Sequence, residues 1–599
     1  MAVTIRLLGP PTVERDGTAT SGPRGRKTWG LLAYVALADT PPSRQRLVSL
    51  LFENADDPRG ALRWNLAELR RSLAGALTVD GDPLVLRLGD GNRIDVQDLV
   101  ASARWPTAEV TALGGELLES MAFADSPRFE AWLAVERFRI AADCRSLVYE
   151  SALRLLADGE PVLAARAAAR AVELDPLDAN HHTVLVTSLA RAGDSEGARQ
   201  QAARCADLFR RELDSPVPAE VERAAQPLPP GVESELIGAA AVRSYLDAGR
   251  AAVAAGAVAT GIDQLRRAAT AAAGTGDERL AGHARLTLGS ALIHSAGGRG
   301  AEVATLLHEA LAAAERAGDA ETAAAACREL GFLAVQHGQR DSAERWLGRA
   351  EGLDAGDAEK AKVLGVRGMS LSDAGAYSAA LDNLGASLDL ARRVGAARSE
   401  AWSLAMIGRI HVLRDEPSLA ATVLDPALET VRSRRWTAFQ PWPETFRAEA
   451  ALAVGDLDTA ADLLEHAWVL ATETRDHCWI TAVAHAQARL AEARDPGGAA
   501  LGWCQTGLRP RPWYLWLRAR LLDAGCVLAW PHNPDLAHRW AGELAEIAAG
   551  GAMHELTVRA HLHHHRQGAG NALDAARDAA RDVDNPALDR LVDDGAAVS

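Results

Sequence analysis

Six cysteines in 599 residues, with no short spacing between them, exclude a disulfide framework and a zinc ribbon. Aromatic residues make up only 5% of the chain. Alanine and leucine must therefore supply most of the core, a composition that favours helices because alanine loses no side-chain entropy there. No apolar run approaches the roughly 20 residues that a membrane span requires. The opening MAVTIRLLGPP lacks the apolar stretch of a secretion signal. A reducing cytoplasm is the expected location. Catalytic patterns are missing too: there is no nucleophile elbow and no carboxylate pair with a cleft signal. His477-Cys478 is a sequence neighbour pair, which does not make a dyad. GPRGRKT (22–28) imitates a phosphate loop, but Arg26 stands where the motif needs glycine. The expectation is a non-enzyme without cofactor or metal.

What remains is a long acidic chain with a balanced front. The net charge is -16, yet residues 1–100 hold 13 Arg/Lys against 12 Asp/Glu, a difference of +1. A local anion-binding site is compatible with that distribution, because position matters more than the total. The length exceeds a single core and calls for several units.

VTIRLLG (3–9) and PTVERDG (11–17) read as short strands. RKTWGLLAYVALA (26–38) and SRQRLVSLLF (43–52) read as helices, the second capped by Ser43. A third helix starts at Asp57-Pro58, an N-cap followed by proline at the first helical position. Its Leu62, Leu66, Leu69 and Leu73 form one apolar stripe. Beside that stripe Arg59, Arg63 and Arg70 fall within about 40° of one another, Asn65 lies toward the other flank, and Trp64 and Arg71 point nearly opposite. A docking stripe with a guanidinium flank is what a major-groove helix needs: arginine engages phosphate or bridges guanine O6 and N7, and asparagine pairs with adenine. LVLRL (84–88), GDGN (89–92) and RIDV (93–96) predict a hairpin with Arg87 and Arg93 bracketing its tip. Arg24, Arg26 and Lys27 precede the first helix, within reach of a DNA backbone.

Together, GPRGRKTWGLLAYVAL, SRQRLVSLLF and ALRWNLAELRRSL, in that order behind VTIRLLGPPTV, resemble the winged-helix domain of actinobacterial antibiotic regulatory proteins. GELLESMAFADSPRFEAWLAVER (115–137), ARAAARAVELDPLDANHH (165–182) and ARAGDSEGARQQAARCADLFRRELDSPVP (190–218) resemble the bacterial transcriptional activator domain that follows it. The resemblance covers about the first 225 residues. It implies binding to direct repeats near promoters, with Arg59, Arg63, Asn65, Arg70 and Arg71 on the recognition helix. It also implies that the loop FENADD, carrying Glu53, Asp56 and Asp57, faces RNA polymerase. Phe52 stands where the family often has tryptophan. Neither a receiver domain ahead of the winged helix nor an intact phosphate loop is evident.

The rest of the chain has a repeated phase. Gly193, Gly338, Gly375 and Gly455 are each followed five residues on by alanine, and Leu347, Leu384 and Leu464 lie four further on. Gly289, Gly331, Gly368 and Gly408 form a second series. This is similar to degenerate tetratricopeptide repeats, whose hairpins bury their stripes only by stacking. Such a stack offers a groove to a protein, peptide or small-molecule effector. FQPWPE (439–444) reads as an irregular connection or a lid, RPRPWYLWLRARLL (509–522) as a helix with a buried Trp-Leu face, and HLHHH (561–565) as solvated histidines.

The expected class is mainly α: an N-terminal α+β winged helix-turn-helix domain (1–97), an activator domain (98–225), a linker (226–236), tetratricopeptide-like repeats (237–525) and a helical cap (526–599). The expected function is a sequence-specific transcription regulator, an activator, with a homodimer as one expected state and no membrane partner. The competing reading is a helical-repeat adaptor that does not bind DNA.

Overall fold

The computed structural model describes residues 2–597 apart from 39, 102–109, 111–112, 114, 227–237, 256, 299, 475, 497–498 and 510–512. The expected linker, Gln226 aside, lies outside the described residues. Two compact units emerge, Met1–Ala152 with Pro161–Ala224, and Leu153–Glu160 with Ala225–Ser599. The fold is mainly helical, with a small α+β part at the front.

In the first unit, β1 (Val3–Arg6), β2 (Thr12–Arg15), β3 (Thr18–Thr20) and β6 (Arg93–Ile94) form a sheet of order β3-β2-β1-β6. Helices α1 (Arg26–Leu37), α2 (Arg44–Leu51) and α3 (Pro58–Ser72) follow the first three strands. A separate hairpin pairs β4 (Leu77–Gly81) with β5 (Leu84–Leu88). Both expected caps form: Ser43 accepts from Arg46 N at 3.1 Å, and Asp57 accepts from Gly60 N at 2.9 Å. The expected hairpin of 84–88 with 93–96 is corrected. Leu84–Leu88 turns back on Leu77–Gly81 because Leu77, Val79 and Leu84 bury one face. Arg93–Ile94 instead pairs parallel with β1. Asp95 fixes that choice by accepting the backbone N–H of Leu7 (2.8 Å) and of Leu8 (3.0 Å).

Gly30, inside α1, has a packing reason: a Cβ there would lie 2.8 Å from the Phe123 ring and 3.0 Å from that of Phe129. Segments 1–97 and 98–225 thus share one hydrophobic core, which also takes in Leu117, Leu133 and Ile140. The unit continues in helix Pro127–Ala157 as far as Ala152, and in helices Pro161–Leu174, Ala179–Arg191, Ser195–Leu213 and Ala219–Ala224.

From Ala239 the described residues form nine helical hairpins and a last helix, Pro586–Ala597. First helices begin at 239, 278, 320, 356, 397, 441, 477, 515 and 554, a period of 36–44 residues, longer than the usual tetratricopeptide period of ~34. The glycine series marks where paired helices meet. Gly331, Gly368 and Gly408 lie under Leu347, Leu384 and Leu424, and a Cβ at any of them would come within 3.0 Å of that leucine; at Gly289 it would lie 3.1 Å from Leu307, and Gly249, outside that series, packs the same way under Leu265. FQPWPE is not a lid: Phe439 and Gln440 close the irregular turn between two helices. Helix Pro441–Ala453 starts inside it, proline suiting the first turn, and Phe439 and Trp442 are buried. In helix Leu515–Ala529, Trp516 and Leu517 are buried. His563 is buried rather than solvated, 2.7 Å from Asp523.

The array also turns back on itself. Tyr514 Oη donates to Asp373 Oδ1 (2.7 Å) and accepts from Arg409 (2.8 Å), which also meets Asp373 at 2.7 Å. Asp584 accepts the N–H of Tyr377 and of Ser378, each at 2.7 Å. Asn585 donates to Leu413 O at 3.1 Å.

This packing makes two outcomes measurable. Gly408→Ala forces Leu424 to move and should cost about 1–3 kcal/mol. Gly385→Ala, in helix Tyr377–Arg393 with nothing within 4 Å, should gain about 0.5–1 kcal/mol. Urea melts of the full chain compare them. The second outcome concerns His308, which packs edge-on against Trp346 (5.4 Å between centroids). Burial, aided by Arg154 and Arg349, pushes its pKa down to about 3. The unfolded imidazole titrates near 6.5, so acid favours the unfolded chain. That stability is intact above about pH 6.5 and drains away as pH falls toward 3. Between pH 7 and 5 the loss from this residue is about 2 kcal/mol, and His308→Gln should flatten it in melts across that range.

Candidate nucleic-acid interface

Helix α3 is held by one side. Leu62, Leu66, Leu69 and Leu73 are buried, while Arg59, Arg63, Trp64, Ala67, Arg70 and Arg71 are exposed. Asn65 is not among them. It is 6% exposed, its amide donates to Ala61 O (2.8 Å), and its oxygen accepts from Thr28 Oγ1 (2.7 Å). The expected adenine contact is therefore corrected: the amide oxygen joins α3 to α1, and the amide nitrogen is turned back onto α3 itself.

Glu68 is folded inward as well. It accepts the backbone N–H of Arg24 at 3.0 Å and pairs with Arg71. The Arg24 N–H, against the opposing effect of burial and with help from Arg71, holds its carboxyl below the usual carboxylate range. Glu68 thus braces the turn before α1 and takes up Arg71.

Other expected cations are also engaged. Arg26 and Lys27 both reach Asp125, at 2.8 and 3.1 Å. Burial would raise the Asp125 pKa, but Lys27 and Arg26 outweigh it and lower it. Lys27 also stands 5.5 Å from the Phe52 ring. Arg93 pairs with Asp98 at 2.6 Å, far from any hairpin tip. Arg70 donates to Val79 O (3.0 and 2.7 Å) and meets Asp80 at 2.9 Å, so it fastens the β4–β5 hairpin to α3. Arg44 secures the turn of that hairpin through Gly81 O (3.1 Å) and Asp82 (2.9 Å).

Four guanidinium groups of the expected set stay unpaired or only loosely paired among the described residues. Arg63 is 3.8 Å from Asp57, with both side chains largely exposed. Among the described residues, the exposed side chains of Arg24, Arg59 and Arg87 make no ion pair. Of the acidic loop, Glu53 lies 3.7 Å from Arg128, Asp57 is the α3 cap, and Asp56 is exposed. Trp64, 56% exposed, is a surface feature that the arginine pattern overshadows in the sequence, although its helical angle is readable there.

The second unit holds a cavity of ≈ 590 Å³, lined among others by Trp516, Arg489, Arg520, Asp523, Glu555 and Arg559. Its charges are largely matched. Glu449 meets Arg520 (2.5 Å), Arg489 (3.0 Å) and His485 (3.2 Å), and Arg559 bridges Glu555 (2.8 Å) and Asp523 (3.3 Å). Burial drives the His485 pKa down to about 4, so the ring is neutral. Among the described residues no cluster of three or more His, Cys, Asp or Glu is placed to hold a metal ion, and no helix is long and apolar enough to cross a membrane.

Arg70→Ala should loosen the hairpin while leaving α3 folded. Its bonds are charge-assisted but half-exposed, so the cost is about 1 kcal/mol. Faster amide exchange across 77–88, with unchanged protection in α3, is the expected readout.

No family model matches the chain, and no curated protein matches it in sequence. Solved structures give distant likenesses. Mycobacterium tuberculosis EmbR in complex with a low affinity phosphopeptide is 18% identical at a TM-score of 0.29, over 38% of this chain and 66% of that one. The chain thus spans just under two thirds of the EmbR structure. A Rap protein complexed with competence and sporulation factor is 11% identical at a TM-score of 0.39, over 57% of this chain and 87% of that one. A signal transduction ATPase with numerous domains and a tetratricopeptide repeat sensor, from Pyrococcus horikoshii, is 14% identical at 0.31, over 86% and 66%. At these values none of the three bears on partners or chemistry.

Proposed function

We propose that the chain is a sequence-specific DNA-binding transcription regulator related to the actinobacterial antibiotic regulatory proteins. In this reading α3 enters the major groove and the β4–β5 hairpin lies beside it. The observation that carries it is the set of open guanidinium groups, Arg24, Arg59, Arg63 and Arg87, on or around a helix docked by leucines on its other side. Arg59 and Arg63 engage phosphate or guanine, and Arg24 and Arg87 engage phosphate. Arg70 and Arg71 act through the helix and hairpin they brace. Activation at promoter direct repeats, a homodimer there, polymerase contact through Glu53, Asp56 and Asp57, and a cytoplasmic setting belong to the same proposal. The helical unit receives a protein or small-molecule effector.

The adaptor reading draws on a different observation: Arg26, Lys27, Arg70, Arg71 and Arg93 are all spent on the protein's own acids. Mobility shifts with duplex from upstream of its own coding sequence separate the two. Sequence-selective retardation that weakens with salt is expected. Arg59→Ala/Arg63→Ala should bind at least about 10-fold more weakly, with a log–log salt slope shallower by about 1 for each phosphate no longer engaged. Absence of duplex binding by the folded full chain at low salt would leave the adaptor.

A further inference from the structure

Trp64 is the one exposed tryptophan among those described. A ring of that size is normally largely buried, because its apolar surface gains most from leaving water. A side-chain carbon at Gly25 would touch the Trp64 ring at 4.0 Å. The ring therefore sits beside the turn that opens α1. That turn is fixed from below, since Glu68 binds the Arg24 N–H and Gly25 takes a φ of +86°, which suits glycine.

The solvent arc of α3 sorts by chemistry. Arg59, Arg63 and Arg70 lie on one edge. Gly60 and Ala67 run down the middle. Trp64 and Arg71 share the other edge, within about 20° of each other at 100° per residue. Glu68 pairs with Arg71, whose side chain stays 69% exposed, and Trp64 is the apolar group on this second edge. In a major groove, the apolar group that base edges present is the C5-methyl of thymine. The small residues between the two edges let the helix approach the base edges.

We propose that Trp64 is a sequence-reading residue whose ring packs on a thymine C5-methyl, while Arg59 and Arg63 hold the opposite edge of the helix. This rests on the reading in which α3 enters the major groove. It makes specificity at one base-pair position depend on a methyl group rather than on a hydrogen bond.

Thymine-to-deoxyuracil scanning of the duplex that the full chain protects is the test, because it deletes one methyl and keeps base pairing. One or two thymines should weaken wild-type binding on the order of 4-fold, the worth of one buried methyl. Trp64→Ala should bind the thymine duplex several-fold more weakly and be indifferent to the same uracils, with Trp64→Phe between. Unchanged melting of the exposed-site variants confirms their fold. If wild type binds selectively but no uracil matters, or if Trp64→Ala keeps the uracil sensitivity, the assignment of Trp64 falls and the DNA-binding reading stands. If wild type binds no duplex, both fall.

Discussion

Four leucines on one side of α3 decide what the first unit can present to anything outside it. Once Leu62, Leu66, Leu69 and Leu73 are buried, the helix has one open arc, and each polar residue belongs either to that arc or to the seams beside it. Asn65 and Glu68 fall in the seams. They become joints, one to Thr28 of α1 and one to the backbone ahead of α1. Arg70 lies at the arc's margin and is drawn to the hairpin. A cationic surface is thereby thinned to a few exposed groups.

The helical unit answers a different constraint. Its hairpins approach closely because glycine on one helix admits leucine from the next. Its interior is polar as well as apolar. Arg409 is fully buried, yet it meets Asp373, Ser372 and Tyr514 and lies 4.3 Å from the Trp516 ring. Desolvating such charges is expensive, and a pair of this kind is weak evidence for stability. A mispacked array that separated Arg409 from Asp373 would leave a buried guanidinium and a buried carboxylate without each other, which is costly.

Much of this is legible in the sequence, to the extent that it is local. The leucine period places α3, Ser43 and Asp57 announce their caps, and the glycine phase locates the corners of the hairpins. β3, three exposed residues with no apolar alternation, leaves no pattern to read. Pairing between distant segments is equally silent. Nothing near Arg26 and Lys27 in sequence points to Asp125, and nothing in RIDV tells that Asp95 will take the amides of Leu7 and Leu8 rather than close a hairpin. The sequence pattern therefore over-supplies the candidate interface with free cations. It also under-reads Trp64, because an angle taken from one helix does not reveal that the ring stays in solvent.

The return contacts of the helical unit change what kind of object it is. An open solenoid loses its end repeats one at a time, since each touches only its neighbours. Here Asp584 covers the start of the helix at Tyr377, and Tyr514 completes the pair of Arg409 and Asp373, so residues separated by 207 positions in one case and 141 in another meet. Such closures raise contact order, which slows folding, and couple the middle of the array to its end. Fraying from the C-terminal side is thus felt at once in the centre, and the unit opens as a clasp opens rather than as a zipper.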